Sequence, residues 1–520
     1  MSMKTTALPR LFATAIVYLA LLLPVSASAA TGASDPRPTD GRLFVDVNDA
    51  YLTWVAPDEG GAVTGYVVSI DTDAAVIDNP DATPAIQAPV GATADPHYEP
   101  PTLEYGAAYY WRVDVERDGA ATEVGPRWSF TTEYEEIPGI VADYSPDPSS
   151  IYYQSPSIAI LPDGTYIASH DVTGDGAPSP RQTAILESTD KGRNWTRIGS
   201  VAPAIWSNLF VHNDALYLMG TDGGGSTTAC TIQRSDDGGR TWTTATNSTN
   251  GVLLDNVGCH TAPVPMVVHN GRIWRAFEDK QDPGEWAAYF RAFMMSAPVD
   301  ADLLRADSWT MSNPLSFDET NWDGEGWLEG NAVVTPDGEI VDILRVADKT
   351  ASIGVVETAA IVHISADGTT ATFDPDKDFI DFPGGGVKFT IRYDSVSDRY
   401  WSLTNKQRDP YAVRNRVALI SSPDLIDWEV HDELLTSGDP VFHAWQYIDW
   451  VFDGDDIVFV SRTAHPTGDG TLPHGYHDAN FTTIHRVDDF RDYAPPPGDD
   501  DDDSGGCGST EWGAGALFGR

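Results

Sequence analysis

Between about residues 140 and 490 the chain alternates apolar and polar side chains over short runs, each ended by Gly, Pro, Asp or Asn. No stretch there sustains apolar residues at helical spacing, so the pattern predicts strands joined by tight turns. A phrase of apolar strand, Pro-Asp-Gly turn and apolar strand recurs, in Ile158-Ala-Ile-Leu-Pro162-Asp-Gly164-Thr-Tyr-Ile and in Ala332-Val-Val-Thr-Pro336-Asp-Gly338-Glu-Ile-Val. Val267-Val-His-Asn-Gly271-Arg-Ile and Trp450-Val-Phe-Asp-Gly454-Asp-Asp-Ile-Val repeat it with Asn-Gly and Asp-Gly. In such turns Pro presets φ and Gly supplies the positive φ that closes them. Dividing the stretch among sheets of four short strands gives about six repeats, with five and seven as the neighbouring solutions. Residues 36–133 form a separate module of the same kind, in which Leu52-Thr-Trp54, Tyr66-Val-Val-Ser-Ile70 and Trp128-Ser-Phe130-Thr-Thr132 read as strands around large aromatics. The chain is expected to be all-β.

One turn chemistry appears twice at a spacing suited to a repeated β unit. Ser188-Thr-Asp190-Lys-Gly192-Arg-Asn-Trp195 is matched by Ser235-Asp-Asp237-Gly-Gly239-Arg-Thr-Trp242, with a degenerate copy at Ser365-Ala-Asp367 and a shortened one at Ser422-Pro-Asp424-Leu-Ile-Asp-Trp428. The Asp accepts from turn N–H groups, Gly takes φ > 0 and Trp packs back on the hairpin. This motif resembles the Asp-box of BNR repeats, and residues 140–490 are similar to sialidase-type β-propellers, which implies a six-bladed propeller. The box itself is a structural staple, also found in propellers without enzymatic activity. In the first module, Leu103 followed by Tyr109 resembles the tyrosine corner of Ig-like sandwiches, and the whole of 36–133 resembles a fibronectin type III domain. That resemblance implies a spacer or weak adhesion unit whose aromatics form a core.

Composition changes the picture in one respect. The 78 acidic residues outnumber the 32 basic ones, for a formal net charge of −46. That balance excludes a nucleic-acid partner, which requires a basic face, and attraction to anionic membranes. It suits a high-salt setting, where screening weakens self-repulsion. Residues 1–30 read as an export signal: Lys4 and Arg10, the apolar run Leu11 to Val25, then Ala27-Ser-Ala29-Ala30. The mature chain is therefore expected to be secreted, periplasmic or at the cell surface, with no membrane insertion. Cys230 and Cys259 are candidates for a disulfide in that setting. From Arg491 a Pro- and Asp-rich stretch reads as a disordered tail that begins like a sorting signal.

The sialidase resemblance implies three arginines on a substrate carboxylate, a Tyr nucleophile polarised by a Glu, and an Asp acid/base. Planar guanidinium groups bind a carboxylate bidentately, and a neutral Tyr approaches an anionic sugar that would repel a carboxylate nucleophile. Glu329, Arg345, Arg414 or Arg416, and Tyr447 fall in the family's order. The first arginine does not: Gln154, in Tyr153-Gln154-Ser155-Pro156, stands where it is expected. Asp171 and Asp175 are the acid/base candidates. Lys388 is a further candidate for an anionic group, or else a strand-edge charge. A rival set is histidine-based: His170, His260, His443, His474 and His477 sit where strands meet loops, as expected for a lyase or unusual hydrolase on uronate-containing polysaccharide built on His170, His260 and Tyr447. A third reading keeps only a carbohydrate-binding or adhesion scaffold. No cofactor is implied, and His474-Gly-Tyr-His477-Asp478 matches no specific zinc spacing. Trp322, Trp327 and Trp445 are expected to pack within blades rather than stack on sugars. The expected partner is an anionic oligo- or polysaccharide, with the enzyme leaning towards exo-glycosidase.

Overall fold

The computed structural model describes residues 32–223, 227–280, 287–347, 357–406 and 414–494. The proposed export signal and most of the acidic tail lie outside the described residues. The chain is all-β, an Ig-like sandwich followed by a six-bladed propeller.

In the sandwich, a sheet of Ser34–Arg37, Leu52–Val55 and His97–Tyr98 faces one ordered Arg42–Val45, Trp128–Thr132, Ala108–Arg117, Val63–Asp71 and Ile86–Gly91. The inward positions of the alternating strands carry Trp54, Tyr66, Trp111, Trp128 and Phe130 into a single core. The Tyr109 hydroxyl accepts from the Glu104 N–H at 3.0 Å, closing the corner.

Each propeller blade is an antiparallel sheet whose first strand lies innermost. Blade 1 runs Tyr152–Ile160, Tyr166–Thr173, Gln182–Ser188 and Thr196–Val201; blade 2 runs Ile205–His212, Ala215–Thr221, Cys230–Ser235 and Val252–Leu254. Blades 3, 4 and 5 begin at Val267–His269, Gly326–Val334 and Thr390–Asp394. Blade 6 takes Ala444–Asp453, Asp456–Ala464 and Phe481–Val487 from the end of the propeller stretch and its outermost strand, Ile140–Tyr144, from the start of it. The ring is closed by joining its two ends.

The repeated Ser-x-Asp-x-Gly-x-x-Trp turns connect third to fourth strands in blades 1 and 2, with the degenerate and shortened copies in the same place in blades 4 and 5. In the first, the Gly192 N–H donates to Ser188 Oγ (2.9 Å), the Asn194 N–H to Asp190 Oδ1 (2.9 Å) and Trp195 Nε1 to the Gly192 carbonyl (2.8 Å). The second repeats these bonds through Gly239, Thr241 and Trp242. In the shortened copy Leu425 occupies the left-handed position at φ 72°, where the full boxes have Gly192 and Gly239. Cys230 and Cys259 are disulfide-bonded, and closing that 29-residue separation stabilises the fold by about 3–4 kcal/mol on a chain-entropy account.

The feature that positions the site is a bulge repeated on the inner strands. Register shifts occur at Gln154/Ser157, Ile205/Asn208, Leu328/Asn331 and Gln446/Asp449 in blades 1, 2, 4 and 6. Each bulge holds one non-glycine residue at positive φ: Ser155 (47°), Trp206 (55°), Glu329 (61°) and Tyr447 (53°). A bulge re-aims one side chain out of the strand's alternation, at the cost of local strain. Two residues further on, Ser157, Asn208, Asn331 and Asp449 tie neighbouring blades together. Ser157 Oγ donates to Asp449 Oδ2 (2.6 Å), Arg275 Nε to Asn208 Oδ1 (2.9 Å) and the Ile391 N–H to Asn331 Oδ1 (3.0 Å). This polar belt fixes the height of the bulged residues around the axis.

The folded part extends past the expected boundary at Arg491. Phe490 is buried against Trp401 and Phe452, and Arg491 binds both carboxylate oxygens of Asp394 (2.7 and 2.9 Å), so the chain stays anchored to at least Ala494.

Candidate active site

Two bulged residues 118 positions apart, in blades 4 and 6, meet at one mouth of the propeller. The Tyr447 hydroxyl donates to Glu329 Oε1 at 2.6 Å, and Arg345 Nη1, at the end of the neighbouring strand, donates to Glu329 Oε2 at 2.7 Å. Glu329 and Arg345 are buried, at 2% and 5% exposure. Burial alone would raise the Glu329 carboxyl, but Arg345, His260 and the Tyr447 hydroxyl together hold it below the usual carboxylate range. The Tyr447 phenol is pushed up, first by burial and then by the Glu329 charge. An anionic Glu329 is therefore set to take a proton that Tyr447 releases only with help.

The structure brings Glu329, Arg345, Arg414 and Tyr447 together. Arg345 bonds Glu329 and interacts with Tyr447, while Arg414 and Arg462 lie against the Tyr447 ring, their guanidinium carbons 5.3 and 5.2 Å from its centroid. Arg414 Nη1 donates to Gln446 Oε1 and Arg462 Nη2 to the His477 carbonyl, while Nε of each is buried with no hydrogen-bond partner among the described residues. Burial and the Arg414 charge lower Arg462 to about 10, and Arg462 in turn is the main cause lowering His477 to about 4. Two buried cations thus face the site, and among the described residues neither forms an ion pair with a carboxylate. Arg462 had no sequence signal: it lies in Val458-Phe-Val-Ser-Arg462-Thr-Ala, an ordinary alternating strand. Arg416 is not part of this group, since it pairs with Glu433 (2.8 Å) on the outer strands of blade 5. Gln154 is half-buried beside Asp171, with which it is paired across blade 1.

Several expected site residues have other employment. His170 is fully buried, with Nε2 2.9 Å from Asp143 Oδ2 and its ring 3.9 Å from that of Tyr153. It lies in the contact between blades 1 and 6, because neighbours on a strand point to opposite faces and Asp171 takes the other one. Asp171 is fully buried and accepts from Thr183 Oγ1 and the Trp206 N–H, both at 2.7 Å, which joins blades 1 and 2; burial raises it to about 7. Asp175 is exposed on the following loop, near Tyr152. Lys388 is buried, its ammonium donating to Thr390 Oγ1 (2.6 Å) and the Ile448 carbonyl (2.5 Å), so it braces blade 5 against blade 6; burial lowers it to about 7. His474 and His477 share the Asp478 carboxylate at 2.9 and 2.8 Å, and among the described residues no cluster is arranged to hold a metal. His443 stacks on His465 and bonds Ser437. Trp322 and Trp327 pack with Phe373 and Phe379, and Trp445 is buried.

On the other side of Glu329 lies a second hydrogen-bonded pair. His260 Nδ1 is 2.8 Å from Glu278 Oε2, and Glu278 Oε1 accepts the Gly330 N–H at 3.1 Å. Gly330 follows the strained Glu329, and a Cβ there would sit 2.0 Å from Asp342 Oδ1, so only glycine fits. Asp342 is buried with no hydrogen-bond partner among the described residues and is raised well above the ordinary range, chiefly by burial. The His260 ring stacks on Phe290 (4.1 Å) and leans on Trp206 (4.8 Å), the bulged residue of blade 2. A cleft of about 750 Å³ opens instead at the other ends of the inner strands, lined by Met266, Val334, Tyr393 and Phe452, away from this chemistry.

No family model and no curated protein matches the chain. Among solved structures, the chain is similar to a protein of unknown function from Dyadobacter fermentans (15% identity, TM-score 0.44, covering 67% of this chain and 99% of that one). It is also similar to an α-L-arabinofuranosidase from Fusarium graminearum determined with an iminosugar inhibitor (13%, 0.43, covering 67% and 96%). A sialidase from Trypanosoma rangeli, determined with sialic acid, matches at 12% with a TM-score of 0.43 over 66% of this chain and 58% of that one.

Proposed function

We propose that this chain is an exported glycoside hydrolase that removes a terminal, carboxylate-bearing sugar from an anionic glycan, with retention and Tyr447 as nucleophile. The observation that carries the reading is the pair of buried guanidinium groups, Arg414 and Arg462, on the ring of a tyrosine bonded to Glu329. In a chain of net charge −46, two buried cations at one spot with no ion pair among the described residues call for an anionic ligand there. The substrate carboxylate lies between Arg414 and Arg462, which brings the anomeric carbon to the Tyr447 oxygen. As that oxygen attacks, its proton passes to Glu329, and Arg345 holds the Glu329 carboxylate in place. Water then displaces the phenolate from the glycosyl-tyrosine, and the phenolate recovers its proton from Glu329. A neutral nucleophile is the type suited to a sugar already carrying a negative charge.

The test is release of free sugar from a panel of glycosides of ulosonic and uronic acids. Tyr447→Phe should lower kcat at least about 10³-fold, as expected when the covalent route is lost. Undiminished activity in Tyr447→Phe excludes the nucleophile, growth of unsaturated-uronate absorbance instead of free sugar identifies a lyase, and neither signal favours a binding scaffold.

A further inference from the structure

The reaction proposed above also needs a group that protonates the departing glycosidic oxygen, and neither aspartate expected from the sequence is hydrogen-bonded to Tyr447 or Glu329. Asp171 has both carboxylate oxygens bonded within the blade 1–blade 2 joint, and Asp175 is exposed near Tyr152. His260 has the complementary properties. Its Nδ1 is held by the fully buried Glu278, and its ring is clamped between Phe290 and Trp206. The same Glu278 carboxylate holds the Gly330 N–H, immediately after the base Glu329, so one side chain sets the relative placement of both. His260 keeps 11% of its side-chain surface exposed and is close enough to Glu329 to help hold that carboxylate low. With Nδ1 occupied, Nε2 is the ring position left to gain and lose a proton.

We infer that His260, aimed by Glu278, is the acid/base of this site, facing the substrate from the flank opposite Arg414 and Arg462. This rests on the hydrolase reading given above. In the first step the His260 Nε2 proton goes to the glycosidic oxygen as its bond to the anomeric carbon breaks and the Tyr447 oxygen bonds to that carbon. In the second, Nε2 takes a proton from the attacking water as the bond to Tyr447 breaks. Glu278 is a positioning residue, since it acts through His260.

The experiment compares methyl and 4-nitrophenyl glycosides of the same ulosonic acid, because an acid catalyst matters most for a poor leaving group. His260→Gln should lose about 10³-fold in kcat/KM on the methyl glycoside and less than about tenfold on the 4-nitrophenyl glycoside, the span of general acid catalysis. Glu278→Gln should show the same selectivity at smaller amplitude. Equal losses on the two aglycones in His260→Gln, or the selective loss appearing in Asp175→Asn instead, overturns the assignment while wild-type turnover keeps the hydrolase reading. No wild-type turnover on either aglycone removes both. Far-ultraviolet circular dichroism and unfolding midpoints of each variant separate these outcomes from misfolding; if His260→Gln does not fold, the selectivity of Glu278→Gln decides in its place.

Discussion

At the scale of single residues, Arg462 and Gln154 carry the most consequence. Gln154 occupies the position where the sialidase resemblance has an arginine, and Arg462 brings a guanidinium to the same mouth from blade 6. On the proposed reading, a fork supplied from a different strand reaches the substrate carboxylate from a different direction. Arg462→Gln should raise KM for an anionic glycoside by at least about 30-fold with a smaller change in kcat, the scale of losing one member of a buried charge pair. A fall in kcat with KM unmoved would instead place Arg462 among groups acting in the transition state. Arg462 was not legible in the sequence because strand alternation alone determines its neighbours. Glu329, Arg345, Arg414 and Tyr447 were legible only as an order of residue types. What brings two of them into contact is a pair of bulges that no pattern of apolar and polar residues announces. The histidines show the same limit: His170 and His260 are equally plain in sequence, yet one bonds Asp143 in a blade joint and the other bonds Glu278, whose other oxygen takes the Gly330 N–H.

At the scale of elements, the turns were the most readable part. Ser, Asp, Gly and Trp at fixed offsets specify their own hydrogen bonds, and the boxes at Ser188 and Ser235 form the same set. The joints between blades were not readable, because they use buried polar side chains that resemble candidate chemistry. Asp171 is the clearest case, and its raised carboxyl makes the joint pH-dependent. The folded-state value of about 7 lies above the unfolded value of about 3.9. The favourable contribution is therefore complete below the unfolded value and is lost as pH rises towards the folded one. Denaturant titrations at about pH 5 and pH 8 should show Asp171→Asn gaining on the wild type at the higher pH. An unchanged difference between the two would mean that Asp171 ionises in the native joint at little cost.

At the scale of the whole molecule, charge and attachment dominate. A net charge of −46 repels itself, so raising NaCl from about 0.1 to 1 M should raise the unfolding midpoint as the Debye length shortens from about 10 to 3 Å. A midpoint that falls or stays level would show that the ion pairs of the fold outweigh that repulsion. The sandwich, expected as a spacer, is docked. Arg42 donates to the Val141 and Ala142 carbonyls, Asn194 of the first box donates to the Tyr51 carbonyl (2.7 Å), and Arg193 pairs with Glu99 beneath the Tyr51 ring. Phe44 is wedged against Tyr144 and Phe481, which face each other across the strands that close the ring.

That closure has a mechanical side. Ile140–Tyr144 and Phe481–Val487 run antiparallel, with Ile140 opposite Ile484, so tension on the two chain ends would open the seam from one end, one hydrogen bond at a time. Peeling needs less force than shearing the whole seam at once. Arg42 and Phe44 grip the seam from the sandwich side, so a pull through the N-terminal module meets these contacts before it reaches the first hydrogen bond. The sandwich works as a strain relief for the weakest direction of the ring.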